Sequence, residues 1–335
     1  MEQRQESILE FSWRSLPPCP PRTFLVRGRF AFWGFVFLLT FSGCNTLASR
    51  FFAKSVAQVA DPTRPVENKI ASPLRADVGL SVLWVGHATV LIQIHDKVIL
   101  TDPVLTSTIG LLAKRLTAPG LDSDVITRLN AILISHIHFD HFAYSSLDLL
   151  PKTASLYVPS GGIPYTPEFG FSDLHAARAW QTIEEDGLRI TPVPVQHFGG
   201  RYGFDAAWSS EPSWTGYVIE YRGTIILFAG DTGYHPEYFK EIGRRFRIDV
   251  AFIPIAPIEP REFMSRVHTD PSEALRIFDD LGAKLMIPIH HETFSLGLEL
   301  DASYARSIMQ RLITERGLAD RVRILNIGEQ VVVKE

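Results

Sequence analysis

The stretch that decides the fold is residues 131–141, which read Ala-Ile-Leu-Ile-Ser-His-Ile-His-Phe-Asp-His. Its apolar first half predicts a buried strand, and its second half places four potential metal ligands within six positions. Alternate side chains of a strand point to one face, so we expect His136 and His138 to face the same way. Ile137 and Phe139 should then face the apolar interior.

The last two ligands of this string, Asp140 and His141, come where the strand is predicted to give way to a helix over residues 142–150. They should therefore occupy a second position next to the first, which predicts two metal ions rather than one. The alternative is a histidine-rich surface loop. A buried-type strand directly before the string disfavours it.

Three further candidate ligands each follow an apolar, strand-like run. His197 follows residues 189–195, Asp231 follows residues 224–230, and His290 follows residues 285–289. Strand ends that meet at one edge of an α/β protein bring such side chains together. We expect three ligands for each ion and one bridging carboxylate: His136, His138 and His197 for the first ion, Asp140, His141 and His290 for the second, and Asp231 between them.

In this order the ligands resemble those of the metallo-β-lactamase superfamily of metal-dependent hydrolases. Finer motifs resemble the branch of phospholipases D that hydrolyse N-acylphosphatidylethanolamine, with the ascorbate-phosphate lactonase branch a close cousin. These motifs are WVGHATV (84–90), FAGDTGY (228–234), VHTDPSEA (267–274) and IHHETF (289–294). The family's Ile-His favours His290 as ligand over its rival His291, which strand alternation would place on the opposite face. The likeness covers about residues 78–335, which we take as one hydrolase domain.

The resemblance implies an α/β fold, an αββα sandwich of two packed β-sheets flanked by helices, with the two-metal site at one edge. The sequence patterns agree with that fold. Strand-like runs lie near residues 80–102, 130–135, 189–195, 215–230, 249–255, 285–289 and 322–333. Helical patterns lie near residues 142–150, 236–247, 271–282 and 302–316, and the third begins with Asp270 as N-cap before Pro271.

Two divalent cations about 3.5–4 Å apart lower the pKa of a shared water and neutralise charge in a hydrolytic transition state. We therefore expect hydrolysis, with Asp140 and Asp231 as catalytic carboxylates. No cysteine stands at a ligand position, which argues against β-lactamases that use a thiolate and favours a phosphodiester over a lactam. Two Zn²⁺ ions suit the nitrogen-rich ligands best, although iron or manganese would also accept them.

Three side chains are expected around the ligands. Asp102 follows an apolar run and should orient a metal-bound imidazole, although it could be only a turn residue before Pro103. We expect His87, in the Gly-His-Ala-Thr turn, to be structural or to support a ligand. By resemblance His268 lies beside the metals, where it would hold a phosphate oxygen or protonate a leaving group. Its alternative is a histidine that merely precedes a helix.

The N-terminal region has a different composition. Residues 30–43 form an uncharged apolar run of fourteen residues that follows three arginines and stops at Cys44. This run is short for a bilayer-spanning helix, so residues 1–43 are predicted to be a signal peptide region. The small residues before Cys44 resemble a bacterial lipoprotein cleavage box, and we expect lipid on Cys44. Phe41 departs from the usual leucine, which leaves a retained anchor or cleavage without lipid as alternatives.

Two further expectations concern this region. Residues 1–24 are rich in proline and do not resemble the start of a signal peptide, so we hypothesise that translation begins near Leu25 or Val26 and that residues 1–24 are not translated. Residues 44–77 read as the lipid-attachment cysteine and a proline-containing linker. By resemblance, Asn45 would direct the lipoprotein to the outer membrane of a Gram-negative cell. The expected location is the bacterial envelope, facing the periplasm.

The charge of the chain disfavours a nucleic-acid substrate. The formal net charge is −4, and it becomes −6 without residues 1–43, which hold five basic and three acidic residues. Such a surface repels a polyanion. Three functions remain: a phosphodiesterase acting on a phospholipid, a lactonase or other small-ester hydrolase, and a non-catalytic envelope scaffold. Aromatic residues after His197 would contact acyl chains or pack in the core: Tyr202, Phe204, Trp208 and Trp214. The oligomeric state is not specified by the sequence.

Overall fold

In the computed structural model the described residues are 50, 54, 62–67, 69–109, 113–202, 205, 210–299 and 301–335. The predicted signal peptide, Cys44 and about half of the predicted linker lie outside these residues. Arg50–Glu335 form one compact unit. Within the described residues, no helix combines the length and the apolar character needed to cross a bilayer.

The secondary structure alternates between strands and helices. The strands are β1 (Leu80–Gly86), β2 (Thr89–Ile94), β3 (Lys97–Thr101), β4 (Thr108–Ile109), β5 (Ala113–Lys114), β6 (Ala131–Leu133), β7 (Ser155–Pro159), β8 (Asp173–Ala177), β9 (Ile183–Glu185), β10 (Leu188–Val193), β11 (Gly216–Tyr221), β12 (Thr224–Phe228), β13 (Val250–Pro254), β14 (Leu285–Ile289) and β15 (Gln330–Lys334). The α-helices are α1 (Tyr144–Asp148), α2 (Pro236–Arg245), α3 (Arg261–Met264), α4 (Pro271–Leu281) and α5 (Tyr304–Arg316). Short 3₁₀ turns cover Ser123–Val125 and Ser160–Tyr165.

Two mixed sheets form the centre of the domain. The first has the order β15-β1-β2-β3-β6-β7-β8, and the second has the order β14-β13-β12-β11-β10-β9. Strands β3, β6, β7 and β8 pair in parallel, as do β12, β13 and β14. The carboxyl ends of parallel strands lie at the same edge of a sheet, so the loops that follow them meet there.

The hydrophobic core lies between the two sheets. Trp84, Ile92 and Tyr157 of the first sheet pack in one cluster with Tyr217 and Phe252 of the second. Each such buried side chain contributes roughly 1.5–3 kcal/mol relative to an exposed one.

Helices cover the outer faces of both sheets. Side chains of α2, α4 and α5 join the outer side of the second sheet in a separate cluster, and α1 packs on the outer side of the first. The expected αββα sandwich is therefore confirmed.

Helix α4 follows its sequence signals closely. Asp270 accepts a hydrogen bond from the backbone of Glu273, whose side chain accepts one from the backbone of Asp270, so the two form a capping box. The helix ends before Gly282, which has a left-handed φ of 62°.

Other boundaries were predicted wrongly. The strand-like region over residues 80–102 contains three strands, as expected for β structure, whereas the helix expected over residues 142–150 is only the five-residue α1. No strand begins near residue 322: Val322 forms a single bridge with Met286, and β15 starts at Gln330. Residues 152–188, for which the sequence predicted no element, contain β7, β8 and β9.

Candidate metal centre

The candidate ligands lie in loops at the carboxyl ends of strands from both sheets. Strand β6 ends at Leu133, so His136 and His138 lie beyond it rather than on it. The two rings face the same site as expected, with centroids 4.5 Å apart, but they lie in a loop rather than on the strand. His136 is instead positioned by an antiparallel bridge to Trp214, at the end of the loop that enters β11.

The first group of ligands consists of His136, His138 and His197, whose candidate ligand nitrogens all lie within 4.8 Å of one another. Nε2 of His197 is 3.3 Å from Nδ1 of His138. Nε2 of His136 is buried and has no hydrogen-bond partner in the described residues. The structure thus brings together the three side chains assigned to the first ion.

The second group contains Asp140, His141 and His290, and the structure adds His87 to them. Nε2 of His141 lies 3.3 Å from Nε2 of His290 and 3.5 Å from Oδ2 of Asp140. His87 places its Nε2 3.0 Å from that same oxygen of Asp140, and its ring is 3.8 Å from the ring of His290. The contact between His87 and Asp140 fits a residue that orients the carboxylate.

The carboxylate of Asp231 lies between the two groups. Its Oδ2 is 3.2 Å from Nε2 of His141 and 3.8 Å from Nε2 of His136, and its Oδ1 is 3.1 Å from Nε2 of His290. One carboxylate therefore reaches imidazoles of both groups, as a bridging ligand must.

Hydrogen bonds at the far side of three rings fix their tautomers. His197 donates from Nδ1 to the carbonyl of Val267 at 2.9 Å, and Nδ1 of His141 lies 2.6 Å from Oδ2 of Asp102. Ser135 Oγ donates to Asp102 and therefore accepts from Nδ1 of His136, at 2.9 Å. With Nδ1 protonated in each case, the Nε2 atoms of His136, His141 and His197 all face the centre.

Asp102 also forms a close group with His136 and His141, but its oxygens are already occupied. Oδ1 accepts from the backbone of Ser135, and Oδ2 accepts from the Ser135 hydroxyl and faces His141. Asp102 is fully buried. It is therefore placed to orient ligands rather than to act as one.

The electrostatics of the centre favour bound cations. Burial, together with the neighbouring imidazoles, holds the pKa values of His136 and His197 well below the ordinary value, so both rings are neutral ligands near pH 7. Burial alone would lower the pKa of His141 too, yet Asp231, Asp140 and Asp102 together raise it well above its usual range. The three carboxylates thus favour positive charge at the position of His141.

The chemistry of the donors fits metal ions. Pairs of imidazole nitrogens face each other at 3.3 Å, and buried atoms of His136 and Asp231 lack hydrogen-bond partners in the described residues. Unpaired buried polar atoms are costly unless something binds them. A nitrogen-rich set with carboxylates suits zinc, and it would also accept iron or manganese.

Several site residues have strained backbones. His87, Asp102 and His290 have left-handed φ angles of 56°, 31° and 65°. Such angles cost energy in residues other than glycine, and they persist where the surroundings enforce them, as at functional sites. Gly230, directly before Asp231, also needs its left-handed φ of 60°, and a Cβ there would lie 2.4 Å from Cβ of Ser135.

His268 and His291 differ in their relation to the centre. His268 is beside the centre, with Nδ1 3.7 Å from Oδ2 of Asp231 and without a hydrogen-bond partner in the described residues. His291 packs its ring 4.5 Å from Trp84 and its Nδ1 3.2 Å from Glu292, outside both groups.

The aromatic residues expected after His197 are only partly described. Tyr202 is exposed and Trp214 lines a cavity beside His197, whereas Phe204 and Trp208 lie outside the described residues. Phe198 directly follows the ligand His197 and is exposed, with its ring 4.8 Å from that of His138. Arg201 was missed by the sequence analysis. Its guanidinium lies 4.4 Å from the ring of the half-buried Phe139 and donates a hydrogen bond to the carbonyl of the buried Ile137. No sequence motif signals Arg201.

Comparisons with known proteins agree with this geometry. A family profile described as Beta-lactamase superfamily domain matches residues 97–291. The chain is 31% identical over 260 residues to N-acyl-phosphatidylethanolamine-hydrolyzing phospholipase D 1 of Caenorhabditis elegans, covering 72% of this chain and 71% of that protein. It is 28% identical over 236 residues to a UPF0173 metal-dependent hydrolase of Methanoregula boonei, covering 69% and 90% respectively.

Solved structures share the fold. The crystal structure of a possible metal-dependent hydrolase from Veillonella parvula aligns with a TM-score of 0.61 at 17% identity, covering 76% of this chain and all of that one. The fold, the converging His and Asp side chains and the sequence matches lead to one conclusion. The chain belongs to the metallo-β-lactamase superfamily of metal-dependent hydrolases.

Proposed function

We propose that the protein is a dinuclear zinc-dependent phosphodiesterase of phospholipase D type, which acts on phospholipids similar to N-acylphosphatidylethanolamine. The observation that carries the proposal is the position of Asp231 between two groups of imidazoles, which suits a pair of cations. The similarity to the C. elegans phospholipase D supports the choice of substrate class.

Bound at these residues, the cations would supply an activated water and neutralise charge on the attacked phosphate. The protein supplies the geometry. His136, His138 and His197 would hold one ion, Asp140, His141 and His290 the other, and Asp231 both. His87 and Asp102 keep Asp140 and His141 in place through contacts of 3.0 and 2.6 Å.

His268 is the residue best placed to act on the substrate. Burial lowers the pKa of His268 to about 4, so its imidazole is neutral near pH 7. A neutral ring donates a hydrogen bond but does not readily give up a proton. Of the two roles considered for His268, holding a phosphate oxygen is therefore favoured over protonating the leaving group.

The spaces beside the centre are unequal in size. A cavity of about 530 Å³ adjoins His197 and is lined by Ala177, Ala179, Pro194, Trp214 and Tyr238, among others. On the other side, a cavity of about 30 Å³ adjoins His87 and His290. Drug-sized ligands occupy cavities of about 300–1,000 Å³, so the large organic part of the substrate would lie beside His197.

The proposed location rests on the N-terminal sequence. Residues 30–43 and Cys44 support a lipid anchor in the bacterial envelope, which would hold the catalytic domain beside phospholipid. Cys44→Ser tests this in cells. The variant should lose metabolically incorporated palmitate and leave the membrane fraction, whereas Cys19→Ser should not.

A substrate panel tests the activity. The zinc-loaded protein should hydrolyse bis(p-nitrophenyl) phosphate and release N-acylethanolamine from N-acylphosphatidylethanolamine vesicles. Turnover of lactones or small esters alone would favour the lactonase alternative. If the protein binds metal but hydrolyses none of these substrates, the result would favour the non-catalytic scaffold alternative.

A further inference from the structure

Arg115 is a buried cation that the proposed chemistry does not use. Its side chain is 1% exposed, and its guanidinium contacts backbone carbonyls. No carboxylate lies within ion-pair distance of it in the described part of the chain. Burying a charge without a carboxylate partner is expensive, and here burial lowers the pKa of Arg115 to about 9. The burial of this cation therefore needs a structural explanation.

The three carbonyls belong to different segments around the metal centre. Nη1 donates to Val104 at 2.7 Å, Nη2 to Val85 at 3.3 Å, and Nε to Thr117 at 2.9 Å. Val85 is two residues before His87, and Val104 is two residues after Asp102. The planar guanidinium thus ties together the two loops that carry His87 and Asp102.

Both of these residues need such support. Each has a left-handed backbone, which persists only where the surroundings enforce it. His87 contacts Asp140 and Asp102 contacts His141, so each orients a ligand of the second group. Asp102 reaches the first group only indirectly, through Ser135 and His136.

Neighbouring residues are shaped around the guanidinium. A Cβ at Gly86 would lie 2.6 Å from Nη2 of Arg115, and the φ of 116° at this position also favours glycine. The ring of Phe294 lies 5.3 Å from the guanidinium carbon and meets the ring of His87 edge-on at 5.0 Å. The backbone N–H of Leu116, next to Arg115, donates a hydrogen bond to the carbonyl of Thr293. The hydroxyl of Thr293 accepts a hydrogen bond from the backbone N–H of His87. Through Thr293, the loop after β14 that carries His290 is therefore hydrogen-bonded both to the backbone next to Arg115 and to the loop of His87.

We propose that Arg115 is a positioning residue for the second cation site: it fixes the loops of His87 and Asp102, and through them Asp140 and His141. The proposal rests on the proposed metal centre but not on the identity of the substrate. A weakened second site should therefore be measurable without any activity assay.

The test is zinc retention by the full-length zinc-loaded protein at equilibrium with increasing concentrations of a chelator. In Arg115→Met, the second ion should be lost at a free zinc concentration about 10–100-fold higher than in the wild type, because support of ligands typically contributes that much to affinity. The first ion should change much less. Arg115→Lys keeps the positive charge but loses the planar guanidinium that hydrogen-bonds to all three carbonyls. It should shift the free zinc concentration at which the second ion is lost by an intermediate amount.

Arg321→Met is the control for the loss of an arginine at an exposed position. Arg321 also donates to a backbone carbonyl, that of Ala283, and lies over a phenyl ring, that of Phe278, away from the candidate centre. It should leave both ions unchanged. Equal weakening of both ions in Arg115→Met, or no weakening of either, would overturn the proposal. So would failure of both Arg115 variants to fold, since the effect would then not be local. A failed substrate panel with these zinc shifts intact would count against the phospholipase function alone.

Discussion

Oδ2 of Asp102 lies 2.6 Å from Nδ1 of His141 and accepts a hydrogen bond from the hydroxyl of Ser135, which in turn contacts His136. One buried carboxylate therefore orients ligands of both groups. Asp102→Asn would place an amide NH₂ against one of these donors. We expect the affinity for the second ion, held by His141, to fall by about 10–100-fold and the affinity for the first ion to fall less, both measured by chelator competition. Asp122→Asn, at an exposed ion pair with Lys69, is the control and should bind zinc normally.

His290 and His291 are adjacent but have separate roles. His290→Ala should abolish hydrolysis of bis(p-nitrophenyl) phosphate and reduce bound zinc, as should Asp140→Ala, while circular dichroism stays native. His291→Ala should keep two ions and activity but lower the free energy of unfolding by roughly 1–3 kcal/mol, because it removes packing on Trp84 and a hydrogen bond to Glu292. Loss of zinc in His291→Ala, with His290→Ala unaffected, would reverse the assignment.

Gly230, directly before Asp231, packs closely against Ser135. Gly230→Ala should cost more than the roughly 1–2 kcal/mol of a left-handed alanine, because the new Cβ would also collide with Ser135. Gly223 has a similar φ of 76°, and a Cβ added there would meet nothing within 4 Å, so Gly223→Ala should show the backbone cost alone. Denaturant unfolding measures both. Equal losses of stability would mean that the close approach at Gly230 has no energetic consequence.

The cavity beside His197 should determine which substrates fit. Ala179 lines this cavity and is exposed, so Ala179→Phe would fill part of the cavity without disturbing the core. We expect a higher KM for long-acyl substrates and little change for bis(p-nitrophenyl) phosphate. Ala302→Phe, at the smaller cavity beside His290, is the comparison and should not discriminate by acyl length. Unchanged kinetics in Ala179→Phe would place the organic part elsewhere.

Glu185 links the edges of the two sheets and should make stability depend on pH. It accepts a hydrogen bond from Tyr157 and lies 2.7 Å from Nε2 of His175, both in the first sheet. Burial would raise the pKa of Glu185, but hydrogen bonds from Tyr157, Ser155 and His175 outweigh it and hold the pKa below its usual value.

A carboxyl whose pKa is lower in the folded state stabilises the fold above its unfolded pKa of about 4.3, and that stability is lost as the pH falls through the folded value. Glu185→Gln should therefore lower stability at pH 7 and flatten its decline below about pH 4. Glu184→Gln, beside Arg189 at the exposed surface, should behave like the wild type. Thermal unfolding across pH compares the three proteins.

The sequence predicted the layers of the fold and the residues of the centre better than their local geometry. His197, Asp231 and His290 were found because each follows an apolar run, and the structure brings them to one edge. His136 and His138 face one site as expected, but not as strand residues, because β6 stops at Leu133 and a bridge to Trp214 positions the loop. Pairing over a long sequence separation leaves no local pattern.

Other features depend on contacts that a sequence does not display. The role of Arg115 comes from carbonyls, which every residue carries, so no motif indicates it. The contact of His87 with Asp140 spans 53 residues and requires a left-handed turn. Strands β8 and β9 are short and only partly buried, which gave residues 152–188 no clear periodicity.

The number of metal ions per chain tests the central claim most directly. Inductively coupled plasma mass spectrometry on the full-length protein, purified with zinc and dialysed to remove loose ions, should find about two zinc ions per chain, as expected for two groups that share one carboxylate. His138→Ala and His290→Ala should each retain about one. Less than one ion per wild-type chain would contradict a two-cation centre.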